Sequence, residues 1–509
     1  MSTSPDRFRL PGASQRLRGL LAALVLALLA SGCAGLLDRG QARPVSSIPL
    51  APCQLAAPGQ GQRVAASCGK LTVPEDRSAA GGRQIDLNIA VVRAISNSPA
   101  PDALFYITGG PGQAATESFV TVSQAFEKIH DKRDIVLVDQ RGTGGSHALS
   151  CPLPPDAGTP GGAEPDITAW AEDCLAGLDA DPAQYTTEAA VADLDAVRAA
   201  LGYEKINLYG LSYGTRVAQS YLRRYPDRVR TVVLDGVVAP QTVLGPDVAA
   251  DAQHALDMAF ARCAADQACD AAFPALPDSF ASLLAKVEAG PVDLTITHPV
   301  TGERTEVAFS QDMFASGVRL LSYTAETTAL LPLLIDDAAS SGDLSRLAAQ
   351  SLLVTGDLSD SISLGMEYSV LCAEDFPFYA PDDAARKSEG TYLGNVQAET
   401  MQKVCSVWPR AQLPADIHEP VRSDVPVLLL SGAADPVTPP ANAELAAQTL
   451  THSLSIVLPG QGHGSVFRGC LPDVTAAFVA AGSEEGLATA CVADIKPTPF
   501  FVNFAGPEP

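Results

Sequence analysis

The first chemical signal lies in Tyr209-Gly210-Leu211-Ser212-Tyr213-Gly214-Thr215. This Gly-x-Ser-x-Gly pattern follows an apolar run, Lys205 to Tyr209, that reads as a buried strand, and it opens a helical stretch from Thr215 to Tyr225. Glycine on either side permits a turn too tight for side chains. The hydroxyl of Ser212 then stands exposed at the apex, with a helix N-terminus behind it that favours developing negative charge. Without that strand and helix the pentapeptide would be a mere turn.

A serine hydroxyl is a poor nucleophile until a base takes its proton. Of seven histidines only His463 lies in a loop just after a late strand, in Pro459-Gly-Gln-Gly-His463-Gly-Ser. His452 precedes that strand and belongs at the opposite sheet edge. His130, His147, His254, His298 and His418 come earlier and read as surface or packing residues. The acid that orients the base should follow the preceding strand, where Leu430-Ser-Gly-Ala-Ala-Asp435-Pro-Val-Thr-Pro supplies Asp435. An Asp-Pro pair also makes turns, but its place after a buried strand favours the catalytic role. Ser212, Asp435 and His463 therefore read as nucleophile, acid and base.

The oxyanion needs donors. Thr108-Gly109-Gly110-Pro111-Gly112-Gln113 ends a strand and lets backbone N–H groups approach a substrate, so Tyr213 and either Gly109 or Gly110 form the expected pair. As a phosphate loop this stretch fails, because it lacks a Gly-Lys-Ser/Thr ending. Asp139-Gln140-Arg141-Gly142-Thr143-Gly144 ends the next strand and reads as a structural brace.

These residues require a particular scaffold. Ile85 to Arg93, Ala103 to Thr108, Asp134 to Asp139, Lys205 to Tyr209 and Val229 to Asp235 read as strands, with a helix from Ala189 to Leu201. Strands alternating with helices predict an α/β class: a mainly parallel sheet with helices on both faces. Residues 241–420 are rich in Ala/Leu helices, such as 249–264 and 330–339, and read as an inserted helical cap. The β/α pattern resumes at Val425 to Leu430, a helix over 440–450, and Leu454 to Leu458. The expected division is a signal peptide over 1–32, a tether over 33–52, a core over 53–240 and 421–509, and the cap between.

Together, Gly-Gly-Pro-Gly, Asp-Gln-Arg-Gly-x-Gly, Gly-x-Ser-Tyr-Gly-Thr, Ala-Ala-Asp-Pro-Val-Thr-Pro and Gly-His-Gly before Cys470 resemble the proline iminopeptidase/tripeptidyl aminopeptidase family of α/β-hydrolase serine peptidases. The secreted, cysteine-bearing tripeptidyl aminopeptidase branch is the nearest, over about residues 65–495. The resemblance implies Ser212, Asp435 and His463 as the triad and Gly110 with Tyr213 as oxyanion donors. One position departs: Thr108 stands where the cytosolic iminopeptidases usually carry His, which weakens transfer of their strict proline specificity. An aminopeptidase must also hold a free ammonium, and Glu367, Glu374 and Asp375 form the best acidic segment for it. A solvated acidic turn beside a disulfide is the bland alternative.

The N-terminus points to export. Arg7, Arg9, Arg16 and Arg18 precede an apolar run, Leu20 to Leu29, too short to span a bilayer, and Ala30-Ser31-Gly32-Cys33 resembles a lipobox. Cys33 would carry the lipid, placing the protein in the periplasm or cell envelope; an ordinary signal peptide would make it secreted. Ten of the 11 cysteines remain. About 945 pairings are possible, but short loops close at least entropic cost. That favours Cys53–Cys68, Cys151–Cys174, Cys263–Cys269, Cys372–Cys405 and Cys470–Cys491. No Cys-x-x-Cys or His-x-x-x-His spacing suggests a metal, and no cofactor is expected.

Composition excludes other classes. Of 509 residues 47% are hydrophobic, too many for a disordered chain. The net charge of −24 disfavours nucleic acid as a partner. Short peptides are the expected substrates and a lipid anchor the only expected membrane contact; no oligomeric state is read. A carboxylesterase uses the same machinery, and a non-catalytic binding lipoprotein is a rival that the complete triad argues against. Nucleophilic aspartate chemistry is excluded by Ser212.

Overall fold

Alternation with period two decides how the central strands bury their side chains. In β4 (Leu104–Ile107), Phe105 and Ile107 face one side of the sheet while Leu104 and Tyr106 face the other. The same split separates Leu208 from Tyr209 in β6 (Ile206–Leu211), Val232 and Leu234 from Val233 in β7 (Val229–Asp235), and Leu429 from Leu428 in β10 (Val427–Gly432). Each such Val or Leu, fully buried, contributes about 1.5–3 kcal/mol. Helices must therefore cover both faces.

The computed structural model describes residues 1, 2, 4, 46–79, 81–153 and 165–507. The signal peptide and Cys33 lie outside the described residues. Of the tether, the last two residues already belong to β1 (Ala51–Leu55). Within the described residues a nine-stranded sheet runs β1-β2-β3-β5-β4-β6-β7-β10-β11, where β2 is Val64–Pro74, β3 Gln84–Val92, β5 Ile135–Val138 and β11 Ser453–Leu458. Pairing is antiparallel as far as β3–β5 and parallel from β5 through β11. The chain crosses from β3 to β4 and returns to β5, so the carboxyl ends of the parallel strands β4, β6, β7, β10 and β11 share one edge. Helix Thr187–Leu201 covers one face, capped by the Thr186 hydroxyl at its start and stopped by Gly202 at φ +83°.

Between β7 and β10 the chain leaves the sheet and builds a second core around Leu256, Phe280, Phe309, Phe314 and Leu334. This cap contains helices Val248–Ala265, Leu276–Glu288, Gln311–Leu321, Leu331–Ser341 and Ser345–Ser361. It also contains a hairpin that the expectation of a mostly helical segment did not include: β8 (Val292–Thr297) paired with β9 (Arg304–Phe309). The Val-x-Leu-x-Ile alternation of β8 is its physical cause. Helices Gln311–Leu321 and Ser345–Ser361 touch at Gly317, where a Cβ would collide with the Ser351 side chain.

Five disulfides join the five neighbouring couples, Cys53–Cys68, Cys151–Cys174, Cys263–Cys269, Cys372–Cys405 and Cys470–Cys491. Among the described residues no helix is long and apolar enough to cross a membrane.

Candidate active site

Ser212 joins β6 to helix Tyr213–Arg224 with φ +57° and ψ −128°, a conformation that costs a non-glycine residue on the order of 1–3 kcal/mol. Its surroundings hold it there. The Ser212 N–H donates to the Asp235 carbonyl at 2.9 Å, and the Ser212 carbonyl accepts from the Thr215 N–H (2.8 Å) and hydroxyl (2.6 Å). The flanking glycines are sterically required: a Cβ on Gly210 would strike the Gly214 carbonyl, and one on Gly214 the Ile107 carbonyl.

His463 sits in the loop after β11. Its Nδ1 is 2.8 Å from Asp435 Oδ2, and its backbone N–H donates to the Tyr323 carbonyl at 2.7 Å. The Tyr323 ring stands edge-on to the imidazole, centroids 5.5 Å apart. Asp435 follows β10 and is buried. Its Oδ1 accepts from the N–H groups of Val437 and Thr438, both at 2.9 Å, and its Oδ2 from the Thr438 hydroxyl at 2.8 Å. Burial alone would raise the Asp435 pKa, but the charge and hydrogen bond of His463, with the Thr438 donors, hold it below the ordinary carboxylate value. Burial likewise opposes charge on His463, yet Asp435 raises its pKa above the usual histidine value. With Nδ1 committed to Asp435, Nε2 is left as the acceptor for a proton. No direct Ser212–His463 hydrogen bond forms among the described residues, a looseness common before substrate binds.

Gly109 packs against Ser212, where a Cβ would approach the Ser212 Cβ to 2.8 Å. The N–H groups of Gly110 and Tyr213 find no protein acceptor among the described residues. Tyr213 is anchored through its hydroxyl, 2.7 Å from Thr187 Oγ1. Arg141 braces the neighbouring loop from full burial, bonding Asp193 at 2.7 and 2.9 Å and the Glu75 and Gln184 carbonyls.

A cleft of about 420 Å³ opens beside these residues, walled by Gly110, Val248, Arg319, Glu367, Leu371 and Val437 among others. Of the three acids suggested by sequence, only Glu367 reaches it. Glu374 turns inward to accept from the Thr187 N–H and hydroxyl, both at 2.6 Å. Asp375 forms a buried pair with Arg216 at 2.9 and 3.0 Å. Both are placed differently from expectation because a π-helical turn, Leu371–Asp375, rotates them toward the core. Burial lifts the Glu367 pKa to about 7, with Arg319 opposing the shift.

Sequence reasoning passed over Thr438, Tyr323, Arg319 and Asp235. The Asp-Pro-Val-Thr spacing is a side-chain-to-backbone turn signal that could have found Thr438. Asp235, fully buried, accepts from the Tyr209 hydroxyl (2.8 Å) and the N–H groups of Ser465 (2.8 Å) and Val466 (2.8 Å), tying β7 to the His463 loop. Among the described residues no group of three or more His, Cys, Asp or Glu side chains could hold a metal ion.

A family model described as alpha/beta hydrolase fold matches residues 102–286, and one described as TAP-like protein matches residues 390–491. The chain is 32% identical over 243 residues to serine protease Hip1 of Mycobacterium tuberculosis, covering 43% of this chain and 45% of that protein. It is 35% identical over 190 residues to a tripeptidyl aminopeptidase of Streptomyces lividans, covering 34% of this chain and 35% of that one. The chain thus spans less than half the length of these curated relatives. A putative hydrolase of Escherichia coli, YuaR, aligns at 24% identity over 78% of this chain and 81% of its own. Sheet topology and matched regions agree on an α/β-hydrolase fold, and the curated relatives that the chain resembles include peptidases.

Proposed function

We propose that the protein is an exported serine peptidase that releases short N-terminal fragments or single residues from peptides. The observation that carries this reading is Glu367, whose carboxyl group has no hydrogen-bonded partner among the described residues and lines the same cleft as Gly110. A charge-assisted bond to it would fix a substrate's ammonium group and set how many residues reach the nucleophile. Ser212 Oγ attacks the scissile carbonyl carbon while His463 Nε2 takes its proton, and the N–H groups of Gly110 and Tyr213 receive the oxyanion. The C–N bond breaks as His463 returns the proton to the leaving amine. Water then hydrolyses the acyl-enzyme. The names of the relatives, a serine protease and a tripeptidyl aminopeptidase, support peptide chemistry. Five disulfides favour an oxidising compartment, in keeping with a periplasmic or cell-envelope lipoprotein.

The apolar wall of the cleft, with Val248, Leu371 and Val437, also suits an acyl chain, so a carboxylesterase is the second reading. Chromogenic anilides separate the two. Peptides with free N-termini should turn over at least about a hundredfold faster than N-acylated ones. Turnover of simple esters with none of any peptide would sink the peptidase reading.

A further inference from the structure

Arg319 projects from helix Gln311–Leu321 into the cleft that also holds Glu367 and Gly110. Its Nε is buried without an acceptor, and its guanidinium forms no ion pair or hydrogen bond with the protein among the described residues. Two other arginines, Arg216 and Arg468, also leave Nε unmatched, but their remaining nitrogens bind Asp375 and Glu326. Arg346, at the cap surface, pairs with Asp337. Among the described residues, the Arg319 guanidinium is held by its own stem and by the Tyr323 ring, whose centroid lies 5.6 Å from the guanidinium carbon. Tyr323 in turn packs on His463, so this cation is fixed beside the reaction centre.

A guanidinium kept partly out of water without an acceptor is costly unless a ligand supplies one. Glu367 lines the same cavity, yet among the described residues the two form no ion pair. Among the described residues the cleft therefore offers the Glu367 carboxyl and the Arg319 guanidinium to a ligand, a pattern complementary to a dipolar one.

We infer that Arg319 receives a carboxylate of the substrate, so that the cleft selects short peptides bearing an anionic group besides the free N-terminus. The inference rests on the exopeptidase reading for the ammonium end alone. Two sources share this chemistry: an acidic side chain in the released fragment, or the terminal carboxylate of a peptide short enough to lie wholly in the cleft.

Two substrate pairs distinguish them. One compares tripeptidyl anilides with Glu or Gln in the released fragment; the other compares tetrapeptides with a free or an amidated C-terminus. The wild-type protein should favour the charged member of one pair by about tenfold in kcat/KM, as a charge-assisted hydrogen bond predicts. Arg319→Gln should level that ratio and Arg319→Lys should keep most of it. Ratios within twofold for both pairs in the wild-type protein, which needs no variant to fold, would overturn the inference. So would a preference that survives in Arg319→Gln. Equal cleavage of free and N-acylated peptides would remove the exopeptidase reading while the charged-to-amide ratios still decide Arg319. If no peptide is cleaved, the same pairs serve as competitive inhibitors of ester turnover, and the charged member should again bind about tenfold more tightly.

Discussion

The sheet layer and the cleft beneath the cap treat charge in opposite ways. In the sheet layer each ionisable group near the nucleophile is matched: Asp435 by His463 and Thr438, Asp235 by Tyr209 and two N–H groups, Arg141 by Asp193. Glu374 and Asp375 of the cap are matched likewise, whereas Arg319 and Glu367, half-buried in the cleft, form no pair with each other among the described residues. Matched groups lock geometry, because moving any of them strands a buried charge. Unmatched ones are stabilised when a ligand arrives. The core is thus suited to bond-breaking that demands fixed positions, and the cap to recognition that demands vacancy. Each half of that contrast can be broken separately.

The largest effect should come from Ser212→Ala. Removing the nucleophile should cut kcat by about 10⁶-fold and leave KM and the melting temperature nearly unchanged, measured with any substrate the protein turns over. Retained turnover would take Ser212 out of the chemistry. Asp435→Asn comes next, with a loss of about 10⁴-fold in kcat, because an amide in that place accommodates the wrong imidazole tautomer. The same substitution should lower the histidine pKa on the acid limb of the rate profile, since Asp435 is what raises it. An acid limb that stays put would show that another group orients His463.

The same contrast explains what could be read from sequence. Ser212, His463 and Asp435 were legible because each follows a strand whose apolar run is local and strong, such as Leu428 to Leu430 or Ile206 to Leu208. The disulfide couples were legible from proximity along the chain. Glu374 and Asp375 were misplaced because side-chain spacing along the chain says nothing about a π-helical turn, which shifts the rotational phase of everything after it. Arg319 was invisible for a different reason. An arginine in the last turn of an amphipathic helix reads as a surface residue, and only the fold of the cap against the loop after β10 and the His463 loop turns it inward.

The cap's independence is tested by Gly317→Val. A branched side chain there must displace Ser351 and spread two helices, an overpacking that costs about 1–3 kcal/mol. The damage should localise: faster hydrogen exchange in helices Gln311–Leu321 and Ser345–Ser361, with the sheet strands β4 and β6 as protected as before. Uniform loss of protection would mean that cap and sheet unfold together, and the division of labour would lose its mechanical basis.

Glu367→Gln should have the smallest effect, about tenfold in KM for peptides with a free N-terminus and little in kcat. Its pH dependence is the sharper measurement. Burial raises the Glu367 pKa to about 7 from a value of 4.5, so the folded protein prefers the neutral acid. The stability this confers is complete below pH 4.5 and is lost as pH rises through 7. The substituted amide stays neutral throughout, so the variant should gain on the wild-type protein between those limits, by roughly 1–3 kcal/mol at the plateau. Binding runs the other way: the wild-type KM for free N-termini should fall as pH rises through 7, because only the carboxylate attracts an ammonium, while the variant's KM should not. Arg319 is the charged neighbour that holds this pKa down, so Arg319→Gln should move the KM transition to higher pH. A transition that ignores Arg319 would mean that the two charges do not share one field, and the cleft would then be two separate sites.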